Sequence, residues 1–265
     1  MAGSIRQHLS ARASREAPLR RIFESVSIGL LLALLLTACG RPQAQALVTN
    51  EVPWQGSEVS TYAVTDLNDV YAGSAQITIM PDAREDGQQG WEIRRDLSTQ
   101  GDSETLVVQV SPKGVRPTSS QLVRKDTSGE EEVTAIYDRG QVDLTLTTHR
   151  DITTYERINV PSDARDSRTL LLLARSLPLA VDYAVHINSF MPITGNLERI
   201  LLWVEGQEEI EVPAGTFQTW HLILESELTD DTEAWIGVDA PYPLVKFLDG
   251  RSGGTFELSE FSAGP

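Results

Sequence analysis

The chain has 265 residues, of which 40% are hydrophobic, 23% charged and 6% aromatic, and its formal charge is −16. That composition is globular and excludes a disordered, collagenous or polytopic membrane chain. The acidic balance lacks the basic footprint that phosphate backbones require, so no nucleic acid is expected as a partner. The single Cys excludes a disulfide framework and a cysteine-based zinc cage.

The first segment reads as an address. Arg6, Arg12, Arg15, Arg20 and Arg21 precede an apolar run, Ile28–Leu36, that is nine residues long. A helix across the hydrocarbon core needs about 20 apolar residues, so the run fits the hydrophobic part of a secretory signal better than a membrane span. It ends in Leu36-Thr37-Ala38-Cys39. That tetrapeptide resembles the bacterial lipobox: leucine, a small or polar residue, a small residue, then cysteine. The resemblance implies that residues 1–38 are a cleaved signal peptide and that Cys39 is lipidated through a thioether to a diacylglycerol. The protein would then be exported and held at the membrane or envelope by that lipid, with its domain extracytoplasmic. An ordinary signal peptide with a chance Cys, or an uncleaved anchor, is the alternative. Each buried CH₂ adds roughly 0.8 kcal/mol, and two or more acyl chains make a stable anchor. No polybasic patch follows Cys39, so charge is not what would hold the protein to anionic lipid.

Residues 39–53 contain Gln, Ala and Pro without apolar periodicity and read as a lipidated tether. Residues 54–265 read as a single β-rich domain, with sub-halves of about 54–160 and 161–265. In Tyr71–Met80, Ala75, Ile77 and Ile79 share one face. In Gln141–His149, Val142, Leu144 and Leu146 alternate with Asp143, Thr145 and Thr147. In Phe217–Glu227, Trp220, Leu222 and Leu224 alternate with Thr219 and His221. Such alternation predicts strands with one wet and one buried face. Turn signals separate the runs at Glu85-Asp86-Gly87, Thr127-Ser128-Gly129, Asp138-Arg139-Gly140 and Asp249-Gly250. Val212-Pro213-Ala214-Gly215 is a further hairpin turn, with Gly215 free to take a conformation closed to other residues.

One segment departs from this pattern. Asp163–Leu177 carries Leu170, Leu173, Ala174 and Leu177 at helical spacing, Ser162 or Asp163 as a start signal, and Pro178 as a stop. It predicts one helix, packed into the sheet or lying as a lid over an apolar groove. The expected fold is therefore mainly β: an antiparallel curved sheet, or a half-open barrel-like sheet, with one packed helix over about 163–177.

Sites of chemistry are scarce. His149, His186 and His221 stand in expected strands, without His-x-His or His-Glu-x-x-His spacing. There is no Gly-x-Ser-x-Gly or Ser-x-x-Lys, no Gly-x-Gly and no Gly-Lys pair. Glu208, Glu209 and Glu211 cluster on one strand, with Glu209 and Glu211 on one side of it; Asp230, Asp231 and Glu233 cluster at a turn. Paired carboxylates serve glycoside hydrolysis or Ca²⁺, but a solvated strand face and a hydrated turn are their commoner meaning. No catalytic residue, metal or cofactor is expected.

Some stretches in the C-terminal half form a known pattern. They are Ala174-Arg175-Ser176-Leu177-Pro178-Leu179, Val212-Pro213-Ala214-Gly215-Thr216-Phe217, Glu233-Ala234-Trp235-Ile236 and Pro241-Tyr242-Pro243-Leu244-Val245-Lys246-Phe247. Together they resemble the bacterial domain-of-unknown-function 3108 family, which is found in exported envelope proteins. The resemblance covers roughly Pro161–Phe261, with Tyr62–Met80 a looser match and Arg84–Val160 a poor one. It implies a β-rich, half-open sheet with a helix on it, and it brings no established activity. The matched residues read as architectural: Gly215 for the turn, Pro178 for the helix stop, Trp220 and Trp235 for packing.

Two functions follow as expectations. The first is a non-catalytic binding module for an apolar or lipid ligand, with Leu170, Leu173, Leu177, Trp203 and Trp220 lining a groove. The second is a structural or protein-interaction component of the envelope with a closed core. Native mass spectrometry of the full chain, made in a host that processes lipoproteins, tests the anchor. We expect loss of Met1–Ala38 and a gain of a diacylglycerol-sized mass, both absent from a Cys39→Ser variant; an unmodified wild-type chain would refute lipidation.

Overall fold

Alternating apolar residues make strands, and in a computed structural model, which describes residues 42–83 and 89–264, fifteen of them form one sheet. Eight run up and down in chain order: β1 (Glu58–Thr65), β2 (Tyr71–Ala83), β3 (Gln89–Thr99), β4 (Ser103–Val110), β5 (Pro117–Asp126), β6 (Gly129–Asp138), β7 (Gln141–Thr147) and β8 (Thr153–Asn159). A connecting segment holds β9 (Arg165–Asp166), a 3-10 turn at Ser167–Thr169 and the helix α1 (Leu170–Ala174). A second meander follows as β10 (Ala184–Met191), β11 (Asn196–Val212), β12 (Gly215–Glu225), β13 (Thr232–Gly237), β14 (Leu244–Leu248) and β15 (Thr255–Ala263).

β1 pairs with β15, so the two meanders fuse into a sheet with β8 at one edge and β9 at the other. β9 runs parallel to β10, and the other ladders are antiparallel. One face of this sheet is the core. Tyr62 and Val64 of β1, Leu106 and Val108 of β4, and Leu222 and Leu224 of β12 are all buried on it. The sheet curls until the segment at its β9 edge reaches β5 and β6 through side chains: the Tyr137 hydroxyl of β6 donates to Asp166 at 2.8 Å, and Arg168 donates to Ser120 of β5 at 2.7 Å. The result is the half-open, barrel-like curved sheet that the alternation predicts.

Local turn chemistry agrees with the sequence. Asp138 pairs with Gln141 across Arg139 (φ 40°) and Gly140 (φ 90°), a two-residue loop with both central residues at positive φ. Val212 pairs with Gly215 (φ 130°) across Pro213 and Ala214.

The helix is the main correction. It spans Leu170–Ala174, not 163–177. Arg165 and Asp166 are instead strand, paired with Ser189 and Phe190, and the Asp166 carboxylate accepts the Arg168 amide at 3.0 Å to open a 3-10 turn. At the other end the amides of Ser176 and Leu177 bond to the carbonyls of Leu173 and Ala174, tightening the last turn ahead of Pro178. Leu170, Leu172, Leu173, Ala174 and Leu177 are all buried, so this segment is core and not an amphipathic surface helix. His149 also departs from expectation, lying in the turn after β7, whereas His186 and His221 are in β10 and β12.

The described part of the expected tether lies against the domain. The Gln45 amide donates to the Ala184 carbonyl at 2.8 Å, the Asn50 amide donates to the Ser176 carbonyl at 2.7 Å, and the backbone of Glu51 forms an antiparallel bridge with that of Lys113. Residues 1–38, Cys39 and the turn at Glu85-Asp86-Gly87 lie outside the described residues.

Just past α1, Arg175 is buried against Glu58 of β1, with side-chain exposures of 2% and 4% and a separation of 2.8 Å. Its Nε donates to the Tyr242 carbonyl at 2.8 Å, its NH2 donates to the Pro241 carbonyl at 2.9 Å, and its guanidinium lies 5.2 Å from the Trp54 ring centroid. Removing one member of a buried pair strands the other charge, at a cost of roughly 3–5 kcal/mol. Arg175→Met is therefore expected to lower the urea unfolding free energy by about that much. Adding Glu58→Leu should restore part of the loss; equal stability of Arg175→Met and wild type would show that the pair does not hold the fold.

Candidate functional site

The sheet's inner face is mostly apolar, and besides Glu58 it carries a charged band. In β3, Arg95 shares its side with Ile93 and Leu97; in β4, Glu104 shares it with Leu106; in β5, Arg124 shares it with Leu122. The register sets Glu104 opposite both Leu97 and Arg124. Glu104 pairs with Arg95 NH2 and, at 2.7 Å, with Arg124 Nε, so one carboxylate serves two guanidinium groups. From the connecting segment Arg168 forks onto Asp166, Nε to Oδ1 at 2.9 Å and NH2 to Oδ2 at 2.8 Å. Arg251, in the loop after β14, lies 3.8 Å from Glu198 of β11.

Arg95, Arg124, Arg168 and Arg251 line a cavity of about 360 Å³ between the two meanders. Its apolar wall is built from Leu97, Leu122, Leu170, Leu171, Phe247 and Phe256. Glu104, Glu198 and Asp249 line it as well. Two guanidinium nitrogens at this site, Arg95 Nε and Arg168 NH1, are buried without a hydrogen-bond partner among the described residues.

The charges hold one another in place. Burial works to raise the Asp166 carboxyl, but the Arg168 charge and its hydrogen bonds outweigh it and hold the group below the usual carboxylate range. Glu104 follows the same logic, with burial opposed by Arg95 and Arg124. Burial pushes Arg251 down, because its partners are distant.

Of the five residues expected to line a groove, the cavity takes Leu170. Leu173 and Leu177 are buried in the core away from it, because α1 is too short to carry a stripe as far as Leu177. Trp203 has the opposite parity to the buried Leu202 and Val204, so it faces outward and donates to Glu225 at 3.1 Å. Trp220 is half-buried and packs on the core without lining the cavity. The charged lining is the part that sequence reasoning missed. Its signal was legible: Arg95, Glu104 and Arg124 occupy inward-facing positions of alternating strands, where an ionised side chain is out of place.

A second cluster sits on the outer face. His221 Nδ1 lies 2.7 Å from Glu205 and 3.3 Å from Glu208, and its Nε2 lies 3.0 Å from Glu233. The imidazole stacks on Trp235 at 4.4 Å between centroids, and Trp235 Nε1 donates to Glu208 at 2.6 Å. Both ring nitrogens can donate only in the imidazolium form. The carboxylates surround the ring; among the described residues no three His, Asp or Glu side chains are placed to hold one metal ion. Glu209 instead accepts from Gln218 at 2.8 Å, on the solvated strand face.

Fold and cleft together define a β-barrel-like domain, open along one side, with a partly charged interior. The chain belongs to the family described as protein of unknown function (DUF3108), whose model matches residues 61–258. That match runs through Arg84–Val160, for which only a poor resemblance was expected. The fold is similar to the crystal structure of a β-barrel-like protein of domain of unknown function DUF1849 from Brucella abortus. The TM-score is 0.52 at 8% identity, over 80% of this chain and 99% of that one. A DUF1329 family protein from Desulfovibrio piger aligns over 78% of this chain and 85% of its own at 12% identity, with a TM-score of 0.18 that carries no weight. No curated protein matches the chain.

Asp166 generates a prediction with a definite sign. Its folded value lies below its unfolded value of about 3.9. The pair therefore contributes stability above about pH 4 and loses it as pH falls through the folded value. Asp166→Asn is expected to cost roughly 3–5 kcal/mol at neutral pH. The gap from wild type should narrow below about pH 4 in urea midpoints taken at stepped pH; a gap independent of pH would contradict the ionised pair.

Proposed function

We propose that the protein is a non-catalytic binding module, exported and tethered by lipid at Cys39, whose cleft takes an apolar or lipid ligand. The cavity between the meanders carries this proposal. Its volume of about 360 Å³ falls within the ~300–1,000 Å³ range of ligand sites, and an apolar wall stands beside a polar lining of similar extent. A closed envelope interaction protein would fill that space with side chains. The cavity is open on one side, and half-buried Leu171 of α1 lines it, so a ligand can enter beside the helix.

A neutral fluorophore that brightens in apolar surroundings, N-phenyl-1-naphthylamine, tests this. Titration into the full-length Cys39→Ser protein is expected to give a saturable rise. Leu171→Gln, which puts an amide on the apolar wall at a half-buried position, should weaken binding about tenfold while leaving the circular dichroism spectrum unchanged. No rise with the parent protein would refute an apolar cleft.

A further inference from the structure

The charged band inside the cleft points beyond a merely apolar ligand. The chain as a whole is strongly acidic, at −16, yet four guanidinium groups converge on this one cavity. Glu104, Asp166, Glu198 and Asp249 balance them in number but are unevenly placed. Arg95 and Arg124 share the single carboxylate of Glu104, and the carboxylate nearest Arg251 is 3.8 Å away. Arg168 is 8% exposed at its side chain, and it spends Nε and NH2 on Asp166 and Ser120. Its NH1 is buried and has no partner among the described residues, and Arg95 Nε is in the same position. A buried N–H without an acceptor is costly, more so on a charged group. Both arginines line one cavity, so an acceptor that enters it lies beside them.

A guanidinium fork matches oxyanion geometry. The residues beside it are aliphatic and aromatic: Leu97 next to Arg95 on the inner face of β3, Leu122 next to Arg124 on β5, and Leu171 and Phe256 across the cleft. A site polar at one band and apolar along its wall fits an amphiphile. The volume, at the low end for ligand pockets, suits one alkyl chain better than two.

We infer that the cleft binds a single-chain anionic amphiphile, with its oxyanion head at Arg95 and Arg168, beside Arg124, and its chain along the Leu and Phe wall. This rests on the binding-module proposal and sharpens it. The head is a carboxylate or a phosphate monoester, since both present charged oxygen acceptors to the donors that the internal ion pairs leave over. Glu198 and Asp249 stand at the Arg251 side of the cavity and disfavour the head there, so the Arg95–Arg168 side is its place.

Calorimetric titration of the full-length Cys39→Ser protein with dodecanoate, dodecyl phosphate, dodecanol and inorganic phosphate separates the possibilities. The inference expects at least one of the two anionic dodecyl probes to bind about tenfold or more tightly than dodecanol, and inorganic phosphate to bind far more weakly than either. The tighter of the two anionic probes identifies the head. Dodecanol binding as well as both anions would overturn the anionic head and leave the apolar cleft standing. No binding by any dodecyl probe would overturn both. Inorganic phosphate matching dodecyl phosphate would overturn the amphiphile.

Arg95→Gln provides the second arm, since Glu104 keeps Arg124 and the fold is not asked to bury a lone carboxylate. It should cost the anionic probes about tenfold and leave dodecanol unchanged. Arg124→Gln, at a more exposed side chain, is the companion variant should Arg95→Gln not fold. Anion affinity unchanged in the folded variant would refute the assignment.

Discussion

A buried guanidinium sits where the molecule is joined. Arg175 follows α1 directly and reaches Glu58 on β1, the strand through which one meander meets the other. Two charges out of water are costly unless good pairing and further hydrogen bonds offset their desolvation. The requirement spreads outward: the carbonyls of Pro241 and Tyr242 must sit just ahead of β14, and Trp54 must offer its face from the segment before β1. Asp166 makes a similar demand at the other end of the connecting segment, taking Arg168 and the Tyr137 hydroxyl. A stretch with a single short helix is thus held at both ends by buried carboxylates. That stretch is one wall of the cleft, so the width of the cleft depends on two ion pairs as much as on apolar packing.

This explains how an open barrel keeps an interior space without collapsing. Apolar side chains alone would draw the walls together, since burial is non-directional. Charged side chains at inward positions resist that, because each must keep its own partner and cannot be pressed into hydrocarbon. The band of Arg95, Glu104 and Arg124 acts as a spacer on one wall, as Arg168 and Asp166 do on the other.

The strands were readable because alternation has one structural meaning: Ala75, Ile77 and Ile79, and later Leu222 and Leu224, are buried as their parity requires. The hairpin turns at Asp138–Gln141 and Val212–Gly215 were readable for the same local reason. The helix over 163–177 was overestimated because Leu170, Leu173 and Leu177 match helical spacing while being buried for another reason, contact with the sheet from several sides. Strand pairing of Arg165 and Asp166 with β10 is a long-range event that no local propensity reports. The cleft was half legible. Leu170 was identified from its spacing, but Trp203 was assigned by residue type when its parity placed it outside. The arginines are hidden in a chain of net charge −16, and only their inward-facing positions on the strands mark them.

The order of the sheet has a consequence for how the chain acquires its structure. Within each meander every strand pairs with its neighbour in sequence, so hairpins can add one after another at little entropic cost. The seam between β1 and β15 is different: Ser259 bonds to the Thr61 carbonyl across 198 positions. Both strands lie in the middle of the sheet, so until that seam closes each meander carries a raw edge able to recruit a foreign strand. The interval between synthesis of the first meander and arrival of β15 is therefore when the polypeptide is most prone to mispairing.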